Sequence, residues 1–235
     1  MTGKPTPKGA AKPRPVTSEK KTLRKRAPGR PGPDSPDLRG RLMDAGVACF
    51  SRKGIEATSL KDIANEAGVT PALLHYYFGD KAQLQEEVIA QRILPLFAEL
   101  RKPLVTAGDD IGTLVAAFVI GMGRLVEQHP WLPPLWVREV LSEGGALRNL
   151  LFERVGPQLP QMMAARFAAA QASGGINPDL DSRLLMVSLI GLTMFPAAGA
   201  SIWRRLFDAE DIDSDTVRRH TLALLDRGLE LDHEA

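Results

Sequence analysis

Between Thr70 and Lys81 the chain reads TPALLHYYFGDK, and the polar groups it gathers are a hydroxyl, an imidazole, two phenols, the Asp80 carboxylate and an ammonium. No carboxylate occurs from Thr70 to Gly79. The other groups donate hydrogen bonds or carry positive charge, which suits the positioning of phosphate oxygens; carboxylates would be repelled there. Pro71, Ala72 and Leu73 open the same stretch without any side-chain hydrogen-bonding group.

These groups need a frame, and the flanking residues supply its signals. Ser59 followed by Asp62 has capping-box spacing, and Leu60, Ile63, Ala64 and Ala67 then recur on one helical face. Gly68 ends that helix, and Val69 is an apolar residue inside the turn. Thr70 is placed to cap a second short helix with Pro71 at its first position, and Leu74 and Phe78 anchor it. Asp80 with Gln83 repeats the capping-box spacing and puts Lys81 in the first turn of a third helix. Upstream, Leu38, Leu42, Ala45, Cys49 and Phe50 mark a bracing helix ended by Gly54. A helix of about seven residues is unstable alone and must be packed by its neighbours. Two readings fit that spacing: a helix-turn-helix entering a major groove, or an ordinary αα-hairpin inside a helical domain.

From Lys81 onward the pattern stays helical. Leu84, Val88, Leu94, Phe97 and Leu100 continue one element, with a kink expected at Pro95. Ile111 to Val126 is a wide apolar stripe, and Leu147 to Ala172 reads as one helix bent by Pro157 and Pro160. The segment from Leu184 to Phe207 is apolar on more than one face, which predicts contact with the body on one side and with a second subunit on the other. A last helix is expected from Val217 to Leu231. No strand pattern stands out, so the predicted fold class is all-α. A three-helix head is joined to a larger helical body, with residues 1–36 as a disordered basic arm, 37–81 as the head and 82–235 as the body.

Charge sharpens this division. The net formal charge of the 235 residues is only +2. Up to Pro36, however, ten Lys or Arg residues face Glu19 and Asp34, a net of +8. The stretch 37–81 is balanced, and the remainder carries a net of −6. The arm is read either as a phosphate or minor-groove follower or as a solubilising tail. The single cysteine, Cys49, excludes an internal disulfide and suits a helix core in a reducing compartment, so a cytoplasmic protein is expected. No apolar run is read as a membrane span, and the basic N-terminus lacks the apolar segment of a leader. His75, His129, His220 and His233 are scattered, without metal-ligand spacing, and no nucleophile elbow or nucleotide-binding glycine pattern occurs. Neither enzyme chemistry, a metal nor a cofactor is expected.

Phe50 with Gly54, Ile63 with Ala64, the run Ala67-Gly68-Val69, the cluster from His75 to Phe78, and Lys81 together resemble the head of the TetR-type bacterial transcriptional regulators. The resemblance covers about fifty residues; the body resembles the family's regulatory domain only in length and helix order. It implies a homodimer, a double-stranded DNA partner, and a small-molecule effector that changes the separation of the heads. Carried across, it assigns Thr70, Pro71, Ala72 and Leu73 to bases or nearby phosphates, and Tyr76 and Tyr77 to the DNA backbone. Lys81 would reach a phosphate, Lys61 would be a further groove-side contact, and His75 stands where many family members have Tyr. One of the two tyrosines packing beside Phe78 is the alternative for that pair. For the effector, Phe118, Met122, Trp131, Trp136, Met163, Phe167, Phe195 and Trp203 come from different helices and would line an apolar cavity, with Arg138 and Glu139 as a polar handle. Solid core is the other reading of the same residues. The expected function is a repressor on a palindromic operator, against an activator of the same fold or a helical interaction adaptor that binds no specific DNA.

Overall fold

The computed structural model describes residues 1–3 and 38–230. Apart from residues 1–3, the expected basic arm lies outside the described residues, as does the chain beyond 230. Twelve α-helices and three five-residue π-turns account for the regular structure, and no strand occurs among the described residues. The fold is all-α, as the periodicity predicts.

The head is built by three helices, α1 (Leu38–Lys53), α2 (Leu60–Ala67) and α3 (Pro71–Phe78), closed by the start of α4 (Lys81–Val88). Leu42, Phe50, Ile63, Leu74 and Leu84 are wholly buried in one cluster, so each helix contributes an anchor to a common core. Cys49 belongs to this cluster, and burial pushes its thiol above the ordinary value. Around it, Arg52 pairs with Glu66 at 2.6 Å and Lys53 with Asp62 at 2.5 Å, tying α1 to α2. Arg39 grips Glu87 with two bonds of 2.9 Å, tying α1 to α4. Exposed pairs of this kind contribute little individually, and the apolar core dominates.

The body comprises α5 (Leu94–Thr106), α6 (Ile111–Gln128), α7 (Leu132–Trp136), α8 (Arg148–Leu150), α9 (Gln158–Ala172), α10 (Ser182–Ala198), α11 (Ala200–Leu206) and α12 (Ser214–Leu229). Two expectations are corrected here and one is sharpened. In the connector, a π-turn over Ile89–Ile93 directly precedes Pro95, with the Leu94 N–H reaching back to the Ile89 carbonyl. A wider turn relieves the clash that the proline ring would make with the carbonyl four residues earlier. The expected helix from Leu147 to Ala172 is divided at Gly156, which sits at φ 71, a conformation that suits glycine. Finally, α6 has 18 residues and a mean hydropathy of 1.3, enough by length and composition to cross a membrane, contrary to the expectation that no run would be. Leu114, Val115, Phe118 and Val119 of α6 are nevertheless buried in the body core, so the helix is accounted for as the centre of a bundle.

Head and body share apolar packing. Leu135, Leu147 and Leu150 of the body belong to the same buried cluster as Phe50 and Leu74.

Candidate nucleic-acid interface

Local bonds fix the α2–α3 unit. The Ser59 hydroxyl accepts the Asp62 N–H at 3.1 Å and the Asp62 carboxylate accepts the Ser59 N–H at 2.9 Å, so both halves of the capping box form. Lys53 and Ser59 together hold the Asp62 carboxyl well below the usual carboxylate range. Gly68 takes the left-handed conformation at φ 67, and its own N–H and that of Val69 close the end of α2. With Pro71 in its first turn, α3 starts abruptly after this tight turn.

Two capping expectations need correction. Thr70 occupies the N-cap of α3 with extended backbone, but its side chain makes no capping bond. At Asp80 only the forward half forms: its carboxylate accepts the Gln83 N–H at 2.9 Å, while the Asp80 N–H goes to the Phe78 carbonyl.

Leu74 and Phe78 face the core, and the rest of α3 turns outward. Thr70, Pro71, Ala72, His75 and Tyr76 are exposed, while Leu73 and Tyr77 are half-buried. Tyr76 is 80% exposed and meets Tyr77 edge-on at 5.4 Å; Tyr77 is the one that leans on Phe78, with ring centroids 6.4 Å apart. The His75 Nδ1 lies 2.6 Å from the Gly79 carbonyl, which requires its proton on that nitrogen. Lys61 is exposed on α2. The Lys81 ammonium donates to the Glu56 carbonyl at 2.7 Å, so it begins its helix tied to the turn between α1 and α2. An outward helix with hydroxyl, phenol and imidazole groups, braced by a buried seam, is the arrangement that enters a major groove.

Behind the head, the body holds a partly open pocket of about 480 Å³. Phe118, Met122 and Trp136 of the expected set are on its wall, joined by Leu96, Phe97, Leu100, Leu125, Leu132, Leu151, Phe152, Val155, Leu159, Met186, Ile190 and Met194. Other expected members lie elsewhere. Met163 and Phe167 are fully buried in solid core, Trp131 meets the His129 ring at a tilt with centroids 5.4 Å apart, and Phe195 is 74% exposed. Trp203 lines a separate hollow. Arg138 lies beside Gly54 at the head, and Glu139 is bonded to the head, so neither is a polar handle for the cavity.

Residues 42–88 match the family model of the bacterial regulatory proteins of the tetR family. Over those residues the head is similar to the DNA-binding domain of that family. The chain is similar to the transcriptional repressor KstR2 of Mycolicibacterium smegmatis, 29% identical over 157 residues covering 65% of this chain and 76% of that one. It is likewise similar to the "Probable acrEF/envCD operon repressor" of Escherichia coli K12, 28% identical over 159 residues covering 65% and 71%. Among solved structures, the ketosteroid transcriptional regulator KstR2 of Mycobacterium tuberculosis superposes with a TM-score of 0.63 at 20% identity, covering 81% of this chain and 94% of that one. These likenesses are to DNA-binding transcriptional regulators, and the exposed α3 of this chain falls inside the matched head.

Among the residues that sequence reasoning misplaced, Glu139 has the most distant partner. Its neighbour in space, Ile55, is 84 positions away, and no local spacing signals that meeting.

Proposed function

We propose that the protein represses transcription in the cytoplasm by occupying a two-fold symmetric operator as a homodimer, and that a small apolar effector releases it. Residues 37–81 are the DNA-binding domain, and 82–235 form the ligand-binding and dimerisation domain. Lys61, Thr70, Pro71, Ala72, Leu73, His75, Tyr76, Tyr77 and Lys81 form the DNA contact surface. The single observation that carries the effector reading is the cavity. Its lining side chains are all apolar, with the Trp136 indole N–H as the one hydrogen-bonding side-chain group among the described residues. A site of that kind selects by shape and apolar area and has nothing to hold a polar core. Dimerisation is supported by the outer face of α10 and α11, where Leu184, Val187, Phe195, Ile202 and Leu206 are all exposed.

The test is fluorescence anisotropy of the protein on duplexes tiled from the DNA flanking its own gene, repeated across a salt series. Tight, salt-dependent binding to one palindromic tile with two chains per duplex is expected, as is its release by the neutral apolar dye N-phenyl-1-naphthylamine. Equal weak binding on every tile would overturn the operator reading, and no binding at low salt would favour an adaptor. Transcription that rises when the tile is occupied would favour an activator.

A further inference from the structure

Glu139 is the one carboxylate among the buried described residues, only 5% exposed. Its Oε1 accepts the Ile55 N–H at 2.8 Å, from the turn between α1 and α2. Its Oε2 accepts the Ala146 N–H at 3.0 Å, and its backbone carbonyl accepts the Leu147 N–H at 3.0 Å. A carboxylate is held away from water only where donors such as these replace it. The fit is close: a Cβ on Gly54 would come to 3.0 Å from Oε1, at a backbone φ of +90.

Both sides of this joint lead somewhere. Three residues before Glu139 stands Trp136, on the cavity wall; shortly after Ala146 and Leu147 come Leu151 and Phe152, also on that wall. Two segments of the wall therefore converge on one side chain. On the head side, the turn that Ile55 belongs to is tied to its neighbours by short bonds. Thr58 Oγ1 donates to the Gly54 carbonyl at 2.6 Å, and the Lys81 ammonium donates to the Glu56 carbonyl at 2.7 Å. Ser59, the cap of α2, follows directly. A second polar link, Arg154 to Glu86 at 2.7 Å, also joins this wall to α4, but it is exposed and open to screening.

We propose that Glu139 is the positioning residue through which occupancy of the cavity is passed to the DNA-reading head. The inference rests on the cavity being the effector site. A ligand shifts the head only through different affinities for two arrangements. Filling the cavity displaces Trp136, Glu139 moves with it, and the Ile55 N–H loses its acceptor. The turn that sets α2 and Lys81 is then free to reorient.

The experiment is amide hydrogen exchange by mass spectrometry on the full chain, with and without N-phenyl-1-naphthylamine, in wild type, Glu139→Gln and Glu139→Asp. Gln keeps one acceptor and turns a donor toward the other N–H; Asp keeps the charge but falls short of Ile55. In wild type the dye is expected to slow exchange across 136–155 and to raise it at 54–58 by about threefold or more. In the variants the dye is expected to protect 136–155 as before, while 54–58 exchanges fast from the outset and no longer responds. If Glu139→Gln does not fold, Glu139→Asp carries the same test. Dye protection at 136–155 with an equal response at 54–58 in wild type and variant would overturn the role of Glu139 and leave the cavity reading standing. No dye protection at 136–155 in wild type would overturn the cavity reading and this inference with it.

Discussion

Head and body of this regulator are both helical, yet they are held together differently. The head pins its short α2 by a full capping box at Ser59 and Asp62, by Gly68, and by ion pairs to α1. Its core has an anchor from every helix. The body sets long helices beside the very short α7 and α8, which run into π-turns at Val137–Leu141 and Leu151–Val155, and it leaves a pocket of about 480 Å³. A surface that must match DNA is over-determined, whereas a surface that must admit a ligand keeps space and irregular backbone. The difference is one of how many independent constraints act on each residue.

The sharpest way to break the contrast is to make a hole in each region. Phe50→Ala in the head core should cost about 3–5 kcal/mol and lower the urea midpoint accordingly, because the surrounding helices cannot collapse onto the space. Met122→Ala on the cavity wall should cost only about 1–2 kcal/mol, since that side chain is half-buried and borders empty volume already. Equal losses in the two variants would erase the distinction.

The DNA-facing side of the head can be sharpened by Lys81→Ala. Affinity for specific and random duplexes alike should fall by about five- to tenfold, and the salt slope should flatten by about one phosphate contact. An unchanged slope would show that the ammonium serves only the Glu56 carbonyl. Ser59→Ala should cost about 1 kcal/mol by removing the α2 cap, read as a lower urea midpoint with Asp62 left half-partnered. The smallest effect is in pH. Asp62 is depressed below its ordinary value of 3.8 by Lys53 and Ser59, so its contribution is complete above that value and fades as pH falls below it. The stability advantage of wild type over Asp62→Asn should therefore stay level from pH 7 to about pH 5 and narrow below about pH 4.

What could be read in the sequence follows the same division. The Ser59–Asp62 box, the Gly68 turn, Pro71 at the start of α3 and the Leu74–Phe78 anchors are all set by neighbours within four residues, and all stand where the spacing puts them. The choice between Tyr76 and Tyr77 was open, because both spacings fit and only the position of Phe78 in space assigns Tyr77 to the core side. In the body, periodicity identified which residues turn inward but not whether other side chains fill the space in front of them. Met163 and Phe167 meet neighbours, whereas Met122 and Trp136 meet a void. Irregular backbone was legible only as proline: a π-turn precedes Pro95, and Gly156 stands at the break between α8 and α9. Glu139 lay beyond reach altogether, since its partner is brought to it by the tertiary fold.

The π-turn at Ile89–Ile93 has a consequence for how this protein can change in length. Its closing bond spans one residue more than an α-helical bond, so the turn holds a surplus residue. In a regular helix, the loss of one residue rotates everything beyond it by about 100°. Here, deleting the exposed Ala90 lets the turn tighten to α geometry and keeps α4 and α5 in the same angular phase. A one-codon deletion at this point preserves the aim of the head, whereas the same deletion at Gln85 or Phe97 swings it away from its target.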